Sequence, residues 1–508
     1  MSERKLSRPF KTASNGSRSI LPRASVALAL ALGVAGIAVL PSTAGAANAV
    51  PVPNANVTLT NPGAGHPYRF GALPQQRVAT APGSSANPNS SSPGARASSR
   101  KAPSRNGYSR QGHPIKGLLS YNGGYSSLGG AGVVTTQPRV YLVFWGSQWG
   151  TESTSGGYQV FSGDPNGMAP FLEAFYSGLG SNNELWSADA TQYCQGVTTG
   201  SVSCPSSAAH APYPSGSVLA GVWEDTSYTP PTGPPMDPST PGATGTQLAQ
   251  EAANAAIYFN DSSDGAQYII VSPTGANPDS WADPSTGYCA YHGNSGSSFY
   301  NGAVTGPDVP FTNLPYIPDS YAIYYTGCSG GQVPTPNDLE GVTYSAAHEY
   351  YETLTDPYPS SGWTDNGGYE VADKCDYLDA GLPGAETSLV LSTGSFPVPG
   401  MWSNQLNKGK GGCTTASPLV VVAALGKQHD QVGVPVSLQV VATDYAGSTL
   451  SYSATGLPAG LSIDPGSGLI SGTPLSAGSF AATVVASDGV HPDGSTTIIF
   501  KVKKAPRA

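Results

Sequence analysis

Residues 344–377, YSAAHEYYETLTDPYPSSGWTDNGGYEVADKCDY, gather charged side chains that are scarce elsewhere in this 508-residue chain. Only 11% of all residues are charged. The stretch nevertheless holds two short charged clusters, separated by a segment rich in glycine and proline. The first cluster is His348, Glu349 and Glu352, and the second is Glu370, Asp373 and Asp376. On a helix, His348 and Glu352 are four residues apart and project from one face, the spacing at which a helix presents two ligands to a metal.

Residues 1–46 have the pattern of a secretory signal peptide. Six basic residues precede an apolar segment at 26–40, and the small residues at 44–46 provide a cleavage site. An N-terminal membrane anchor is the alternative, but about 15 apolar residues fall short of the roughly 20 that span a bilayer. We therefore expect a secreted protein, extracellular or associated with the cell envelope, with no membrane span in the mature chain.

Charge disfavours two classes of partner for the mature protein. Loss of the signal peptide removes six basic residues and one acid, which moves the net charge from −9 to −14. Nucleic acid and anionic membranes are therefore poor partners, and an extracellular polymer or protein is the expected substrate or partner. Residues 47–114, rich in Pro, Gly, Ser and Asn, are predicted to be a disordered linker, because they cannot bury enough surface to offset the entropy of ordering.

Residues 115–415 are predicted to form a mixed α/β domain. The apolar run PRVYLVFW at 138–145 is rich in β-formers and predicts a buried strand, and SYAIYY at 320–325 predicts another. The helix-like run at 246–259 predicts one helix, and Asp338 can cap a second that runs to about Leu354 and is ended by Asp356-Pro357. Strands that alternate with helices indicate an α/β domain rather than a sandwich.

The six cysteines are predicted to form disulfides. An even number of cysteines in an exported chain is more typical of a disulfide framework than of a thiolate metal site. The sequence alone leaves the pairing open, and we favour neighbours in chain order. The favoured pairs are Cys194 with Cys204, Cys289 with Cys328, and Cys375 with Cys413.

Residues 416–503 differ in composition and hydrophobic pattern from the domain before them, and residues 504–508 follow as a tail. The segment has no cysteine or tryptophan, and short alternating runs such as SLQVVAT and AATVVAS predict a β-sandwich. The stretch GLPAGLSIDPGSGLISGTPLSAGSFAATVVASDG resembles the immunoglobulin-like domain of bacterial surface proteins, a relative of cadherin repeats. This resemblance implies a spacer or adhesive module.

Related cadherin-like repeats bind calcium, so the same resemblance implies three carboxylates that could do so here. They are Asp444, Asp464 and Asp488. Calcium takes about six to eight oxygen ligands, often from several neighbouring carboxylates. The sequence lacks the paired acidic clusters of cadherins, and a role in turns is the alternative for these aspartates.

The H-E-x-x-E cluster differs by one residue from the zincin motif H-E-x-x-H, in which two histidines bind zinc and the glutamate activates water. Glu370 and Asp373 resemble the E-x-x-x-D element of gluzincin peptidases, one residue shorter. That resemblance implies a zincin-like helix pair, with Asp373 orienting His348. The predicted metal ligands are His348, Glu352 and Glu370. Glu349 is the predicted general base for a metal-bound water.

Zinc is the expected metal at this site. Two carboxylates and one imidazole make a harder site than zinc usually has, so manganese, calcium and iron are competitors. The alternative is a purely structural cluster, in which Glu352 makes local contacts and Cys375 staples the second helix.

Several motifs in order resemble the exordium, or phosphate-induced, protein family. They are PRVYLVFWGSQW, GYCAYHG, HEYYETLTDP, EVADKCD and MWSNQLNKGKGGC. The resemblance covers about residues 115–415. It implies an extracellular protein and bears on the fold and compartment more than on any reaction, because the family has no settled chemistry.

Two further residues are weaker candidates. His292, in GYCAYHG, could donate to a developing oxyanion, and a solvated loop histidine is the preferred alternative. Ser329, in GCSGG, fits a nucleophile pattern, but no helix is predicted directly after it, so a glycine-rich turn is preferred.

Two hypotheses about function follow from these patterns. The first is a secreted, exordium-like, metal-dependent hydrolase of the metallopeptidase type. The second is a non-enzymatic extracellular adhesion or cell-wall-binding protein, displayed by its linker and extended by its immunoglobulin-like module.

Overall fold

The structure, a computed structural model, describes residues 117–234, 237–283, 288–322, 328, 339–376, 378 and 384–505. The predicted signal peptide and linker lie outside the described residues, as does Ser329. Among the helices that the structure describes, none is long and apolar enough to cross a membrane.

The part of the chain before residue 416 mixes strands with helices, as predicted. Its strands are β1 (Ser120–Tyr121), β2 (Arg139–Trp145), β3 (Glu152–Ser155), β4 (Tyr158–Phe161), β5 (Cys194–Gln195), β6 (Ala209–His210), β7 (Leu219–Asp225), β8 (Ala266–Val271), β9 (Tyr291–Asn294), β10 (Pro310–Leu314), β11 (Trp363–Thr364), β12 (Thr387–Leu391), β13 (Gly394–Val398), β14 (Met401–Ser403) and β15 (Gly412–Thr414). Its helices are α1 (Met168–Gly178), α2 (Gly245–Phe259), α3 (Glu340–Thr355) and the single turn α4 (Leu406–Gly409).

A five-stranded sheet of order β7-β2-β8-β10-β9 forms the centre of this part. The strands β7, β2, β8 and β10 are parallel, whereas β9 pairs antiparallel with β10 at the edge. β2 and β8 are buried almost throughout, which fits the continuous apolar runs of parallel strands covered on both faces. The edge strand β9 carries His292 opposite Thr312.

Helices cover both faces of this sheet. Along β2, Val140, Leu142 and Phe144 share one hydrophobic core with α1 and α3. The alternate residues Tyr141 and Val143 share a second core with α2. This division follows from the two-residue period of a strand, whose successive side chains point to opposite faces.

The helix α3 is buried along its whole length. Its apolar residues, such as Val342 and Tyr350, join the core beneath the sheet. Its charged residues are buried as well, and a buried charge requires a partner of opposite charge or a hydrogen bond. The interior position of α3 therefore brings its histidine and glutamates together with other buried polar groups.

The predicted strand at 320–325 is wrong for residues 320–322, the half of it that the structure describes. Residues 320–322, the start of the predicted strand 320–325, belong to the 3-10 helix Ile317–Ala322. Pro318, near the start of this segment, has the fixed φ that suits a first helical turn and weakens a strand. Residues 323–325 lie outside the described part of the chain.

All three predicted disulfides form, and they use all six cysteines. The bonded pairs are Cys194–Cys204, Cys289–Cys328 and Cys375–Cys413. The third ties the segment that follows α3 to strand β15.

The C-terminal part consists of strands alone among its described residues. They are β16 (Val420–Val422), β17 (Lys427–Gln431), β18 (Val436–Gln439), β19 (Ala442–Asp444), β20 (Ser451–Thr455), β21 (Leu461–Ile463), β22 (Leu469–Gly472), β23 (Gly478–Ser487) and β24 (Gly494–Lys503). Sheets of order β17-β24-β23-β20 and β18-β22-β21 share a core that includes Ile470, Val484 and Phe500. This arrangement confirms the predicted β-sandwich.

Candidate metal centre

Three segments of the α/β part contribute charged or titratable side chains to one buried region. The edge strand β9 supplies His292, the helix α3 supplies His348, Glu349 and Glu352, and the segment after β11 supplies Glu370, Asp373 and Asp376. The antiparallel edge strand and the buried helix are therefore what position the two histidines.

His292, Glu352 and Glu370 form the first group. Their ligand atoms all lie within 4.8 Å of one another, and the three side chains are fully buried. His292 Nε2 lies 3.5 Å from Glu370 Oε1, whereas the contact of Glu352 Oε2, at 3.6 Å, is with the other ring nitrogen, Nδ1. Metal–ligand bonds of about 2.1 Å in a tetrahedral site place the ligand atoms roughly 3.4 Å apart, so the separation of His292 Nε2 from Glu370 Oε1 suits two ligands of a common ion.

Glu349 contacts the first group through His292. Its Oε2 lies 3.2 Å from His292 Nδ1. With the proton on Nδ1, His292 donates to Glu349 and presents Nε2 to the side of Glu370. Histidines that ligate a metal commonly donate their other ring N–H to a carboxylate in this way.

His348, Asp373 and Asp376 form a second group, whose ligand atoms also lie within 4.8 Å of one another. His348 Nε2 is 3.0 Å from Glu352 Oε1 and 3.6 Å from Asp373 Oδ1. His348 Nδ1 is 3.2 Å from Asp376 Oδ1. Glu352 therefore faces both histidines, one with each carboxylate oxygen.

Several buried atoms of the site have no hydrogen-bond partner among the described residues. They are both carboxylate oxygens of Glu370, Glu352 Oε2 and both ring nitrogens of His348. Leaving a buried polar group unsatisfied costs about 1–3 kcal/mol, and more when the group is charged. A cation between these side chains would remove that cost.

Negative charge exceeds positive charge in this region. The ion pairs among the site residues involve histidines only, and Lys374 pairs instead with Asp365 at 2.7 Å. Burial raises the pKa of Glu352 to about 8, and the charge of Asp373 adds to the shift. Burial also raises the pKa of Glu370 well above its usual range, with the charge of Glu352 adding to it.

The pKa values of the two histidines are raised as well, which favours their charged form. Burial lowers the pKa of His348, but the charges of Glu352 and Asp376 outweigh burial and raise it well above its usual range. Without a metal, the region therefore favours protonated carboxyls and charged imidazolium. A divalent ion would reverse both preferences, because it stabilises carboxylates and neutral imidazole.

The structure groups the predicted site residues differently from the sequence-based assignment. Glu352 and Glu370 come together, but the histidine of their group is His292, whereas His348 lies with Asp373 and Asp376. Asp373 does approach His348, as predicted for an orienting residue. The roles assigned to these residues, including Glu349 as general base, stay predictions.

His292 is the residue whose importance the sequence did not reveal. The preferred expectation of a solvated loop histidine is wrong, because His292 belongs to strand β9 and is fully buried. The available signal was its position beside Cys289 in an apolar run. No sequence spacing links residue 292 to α3, since the contact is made through the sheet.

The three aspartates that could bind calcium each accept hydrogen bonds within their own turn. The donors include the backbone N–H groups of Ala446 for Asp444, Ser467 for Asp464 and His491 for Asp488. None of the three belongs to a metal-compatible group among the described residues. Their geometry fits the turn alternative, and calcium binding stays a prediction.

Comparison with known proteins identifies the C-terminal module. Residues 418–503 match a family model described as "Putative Ig domain". The chain is also 29% identical over 153 residues to the "Serine-rich adhesin for platelets" of two Staphylococcus aureus strains. That match covers 28% of this chain and only 11% and 7% of those adhesins. The C-terminal part is therefore an immunoglobulin-like domain, and the adhesin similarity covers a small share of those proteins.

Solved structures give similarities of limited extent. Drosophila N-cadherin EC1-3 has a TM-score of 0.17 at 13% identity, covering 25% of this chain and 46% of that one. Human protocadherin-24 EC1-2 has a TM-score of 0.15 at 19% identity, covering 16% and 44%. A putative alpha-galactosidase from Bacteroides fragilis has a TM-score of 0.16 at 14% identity, covering 16% and 17%. TM-scores this low leave the function of the chain open, and the resemblance of residues 115–415 to the exordium family stays a prediction.

Proposed function

We propose that this chain is an extracellular adhesion or envelope-binding protein whose α/β domain is built around a bound divalent metal. One observation is the main support for the metal. Glu352 Oε2 and both carboxylate oxygens of Glu370 are buried beside His292 and have no hydrogen-bond donor among the described residues. The immunoglobulin-like domain and the partial similarity to staphylococcal adhesins support the adhesive role. The proposed partner is an extracellular protein or polymer.

In this proposal the ligands are His292 Nε2, Glu352 and Glu370, with Glu349 holding the His292 ring through Nδ1. The assignment replaces His348 of the sequence-based prediction by His292 at the first ion. Two carboxylates and one imidazole suit zinc, manganese or iron, and the metal would offset part of the buried negative charge. Its binding would also stabilise the fold, because the unfolded chain has no preformed site.

Metal analysis of the purified full-length protein tests the first half of the proposal. We expect at least one divalent ion per chain, and a large loss of that ion in His292→Ala and in Glu370→Gln. His429→Ala is the matched control, since His429 lies in the immunoglobulin-like domain. A wild-type protein that holds no metal after incubation with zinc or manganese would contradict the proposal.

Binding assays on immobilised cell-wall polymers and extracellular proteins test the second half. We expect the full-length protein to bind, and a chain that ends at residue 415 to bind much less while keeping its metal. Equal binding by the shortened chain would show that the immunoglobulin-like domain is not the adhesive module.

A second candidate function is metal-dependent hydrolysis at the same centre. It is favoured by Asp373, whose side chain keeps 19% of its surface exposed beside the buried ligands and so gives the site an edge to solvent. A metal-bound water there could lose its proton near neutral pH, with Glu349 within reach of the first group. In an assay on peptide and ester substrates, Glu349→Gln should lose turnover per bound metal, with the metal content of the variant measured alongside because Glu349 also holds the His292 ring. Unchanged turnover in that variant would discard Glu349 as general base.

A further inference from the structure

We infer that the α/β domain binds two divalent metal ions, bridged by the carboxylate of Glu352. The inference rests on the proposed metal centre and adds a second ion, held by His348 and Asp373. The first ion keeps His292 and Glu370 as its other ligands. Both ions would then lie between the edge strand β9, the helix α3 and the segment that follows β11.

The position of Glu352 is the first argument. Its Oε1 lies 3.0 Å from His348 Nε2, and its Oε2 lies on the side of His292 and Glu370 and has no hydrogen-bond partner among the described residues. One carboxylate thus presents one oxygen to His348 Nε2 and the other to the group of His292 and Glu370, which is the arrangement of a bridging ligand. Bridged pairs of ions in proteins are about 3.5–4 Å apart, a separation that one carboxylate can span.

The two histidines have matching surroundings, which is the second argument. Each ring has Nδ1 at 3.2 Å from one carboxylate and Nε2 at 3.5 or 3.6 Å from another. At His292 these carboxylates are Glu349 and Glu370, and at His348 they are Asp376 and Asp373. In each case the first carboxylate can fix the ring, which leaves Nε2 for a metal.

The unsatisfied nitrogens of His348 are the third argument. The side chain is fully buried, and neither ring nitrogen makes a well-directed hydrogen bond with a described residue, although carboxylate oxygens lie near both. Tyr344 donates its hydroxyl to Asp376 Oδ1 at 3.2 Å, which holds that carboxylate in place. With Asp376 held beside Nδ1, His348 Nε2 is buried without a well-directed hydrogen bond and is suited to ligate an ion.

Charge is the fourth argument. Six carboxylates cluster around the two histidines: Glu349, Glu352, Asp356, Glu370, Asp373 and Asp376. One divalent ion offsets two of these charges, and two ions offset four. Asp356 is already stabilised by the backbone N–H groups of Ser360, Ser361 and Gly362. Two ions therefore bring the region much closer to neutrality than one.

The ligands indicate which metal ions the two positions suit. Their exposure to solvent indicates which of the two ions leaves first. One imidazole with carboxylates at each position suits first-row ions such as Mn²⁺, Fe²⁺ or Zn²⁺. The side chain of Asp373 is 19% exposed and that of Asp376 5%, whereas His292 and Glu370 have no exposure. A chelator should therefore remove the ion at His348 before the ion at His292.

Counting Mn²⁺ in the full-length protein and recording its electron paramagnetic resonance spectrum tests the inference. We expect two Mn²⁺ per chain and the broadened spectrum of two coupled ions. His348→Ala should keep one Mn²⁺ and give the hyperfine pattern of an isolated ion. His429→Ala should keep both ions and the coupling.

The outcomes separate this inference from the proposed function. One Mn²⁺ per chain with an uncoupled spectrum, lost in His292→Ala and kept in His348→Ala, would overturn the pair and leave the single-metal proposal standing. No bound Mn²⁺ and no bound Zn²⁺ would overturn both. If His348→Ala does not fold, the count and the spectrum of the wild-type protein decide alone.

Discussion

At the residue scale, buried carboxylates are held by backbone donors as well as by histidines. Asp356, at the end of α3, accepts from Ser360 N through Oδ2 and from Ser361 N and Gly362 N through Oδ1. The bonds to Ser361 and Gly362 are 2.9 and 2.6 Å long, and the side chain is fully buried. This carboxylate therefore shapes the turn that leads from α3 toward Glu370.

Asp356→Asn should destabilise the protein. The amide NH₂ group would face backbone N–H donors in place of one oxygen, and the cost of a buried hydrogen bond to a charged group is about 1.5–3 kcal/mol. We expect a lower free energy of unfolding in a urea titration. Asp464→Asn is the matched control, because it makes the same change in an exposed turn and should shift stability less. Equal losses in the two variants would contradict this account of Asp356.

Glu251 should make stability fall as pH rises. Burial raises its pKa from 4.5 to about 8, and the charge of Asp225 adds to the shift. Between these two values the folded protein keeps a proton that the unfolded chain has released, so stability falls as pH rises through this window. The loss by pH 8 is on the order of a few kcal/mol.

Glu251→Gln tests this titration, because the amide stays neutral at every pH. We expect the variant to lose less stability than the wild type between pH 4.5 and 8 in parallel urea titrations. Glu152→Gln, on an exposed strand, should follow the wild type. A Glu251→Gln curve that runs parallel to the wild type across this range would contradict the assignment.

Single residues also show how far the sequence could predict the site. The distance between His348 and Glu352 follows from helical spacing alone, so their proximity was predictable. The contact of His292 with Glu349 was not, because it depends on the register in which β9 pairs with β10. Registers of this kind are set by the tertiary fold and leave no fixed spacing in the sequence.

At the element scale, long apolar runs were predictable and short segments were not. β2 appears close to its predicted bounds because its apolar run is continuous and buried, and α3 ends close to its predicted end because Asp356-Pro357 stops the helix. The run at 320–325 has the composition of a strand, yet its described half is helical. Composition alone does not determine the secondary structure of such a short segment, because the packing around it sets its conformation.

The disulfide Cys375–Cys413 anchors the segment that carries Asp373 and Asp376 to strand β15. Cys375 falls between Asp373 and Asp376 in sequence, so the bond fixes the segment that faces His348. Replacing both cysteines by serine should lower stability by about 2–4 kcal/mol. It should also weaken metal retention on dialysis, because the ligand segment is no longer held against β15.

The pair Cys194–Cys204 provides the control for this experiment. Its removal should also lower stability, since it too constrains the unfolded chain, but it closes a shorter loop and contributes no residue to the metal centre. We expect its double serine variant to retain metal as the wild type does. Equal metal loss from both double variants would show that retention depends on general stability and not on the ligand segment.

At the scale of the whole molecule, a chain poor in charge brings six carboxylates and two histidines together in one buried region. The α/β part holds the candidate metal centre, and the immunoglobulin-like domain begins at a buried contact with it, where Leu419 packs with Ala188 and Tyr213. The different composition and hydrophobic pattern of the two parts predicted an α/β domain followed by an immunoglobulin-like domain. It could not predict which residues of the first part converge, because β9, α3 and the segment after β11 meet only through the fold.

Calcium should have little effect on the immunoglobulin-like domain. Asp444, Asp464 and Asp488 each accept hydrogen bonds within separate turns and do not converge on a common site among the described residues, so they do not offer calcium several neighbouring carboxylates. We expect the full-length protein, saturated with manganese, to melt at the same temperature with added calcium as with added magnesium. A rise in melting temperature specific to calcium, abolished by Asp488→Asn, would contradict this expectation.

Anomalous diffraction from crystals of the full-length protein grown with Mn²⁺ or Zn²⁺ tests the metal centre most directly. We predict a peak about 2.0–2.2 Å from His292 Nε2 and from carboxylate oxygens of Glu352 and Glu370, with a second peak beside His348. Absence of any peak at His292, Glu352 and Glu370, in crystals whose solution contains the metal, would contradict the account.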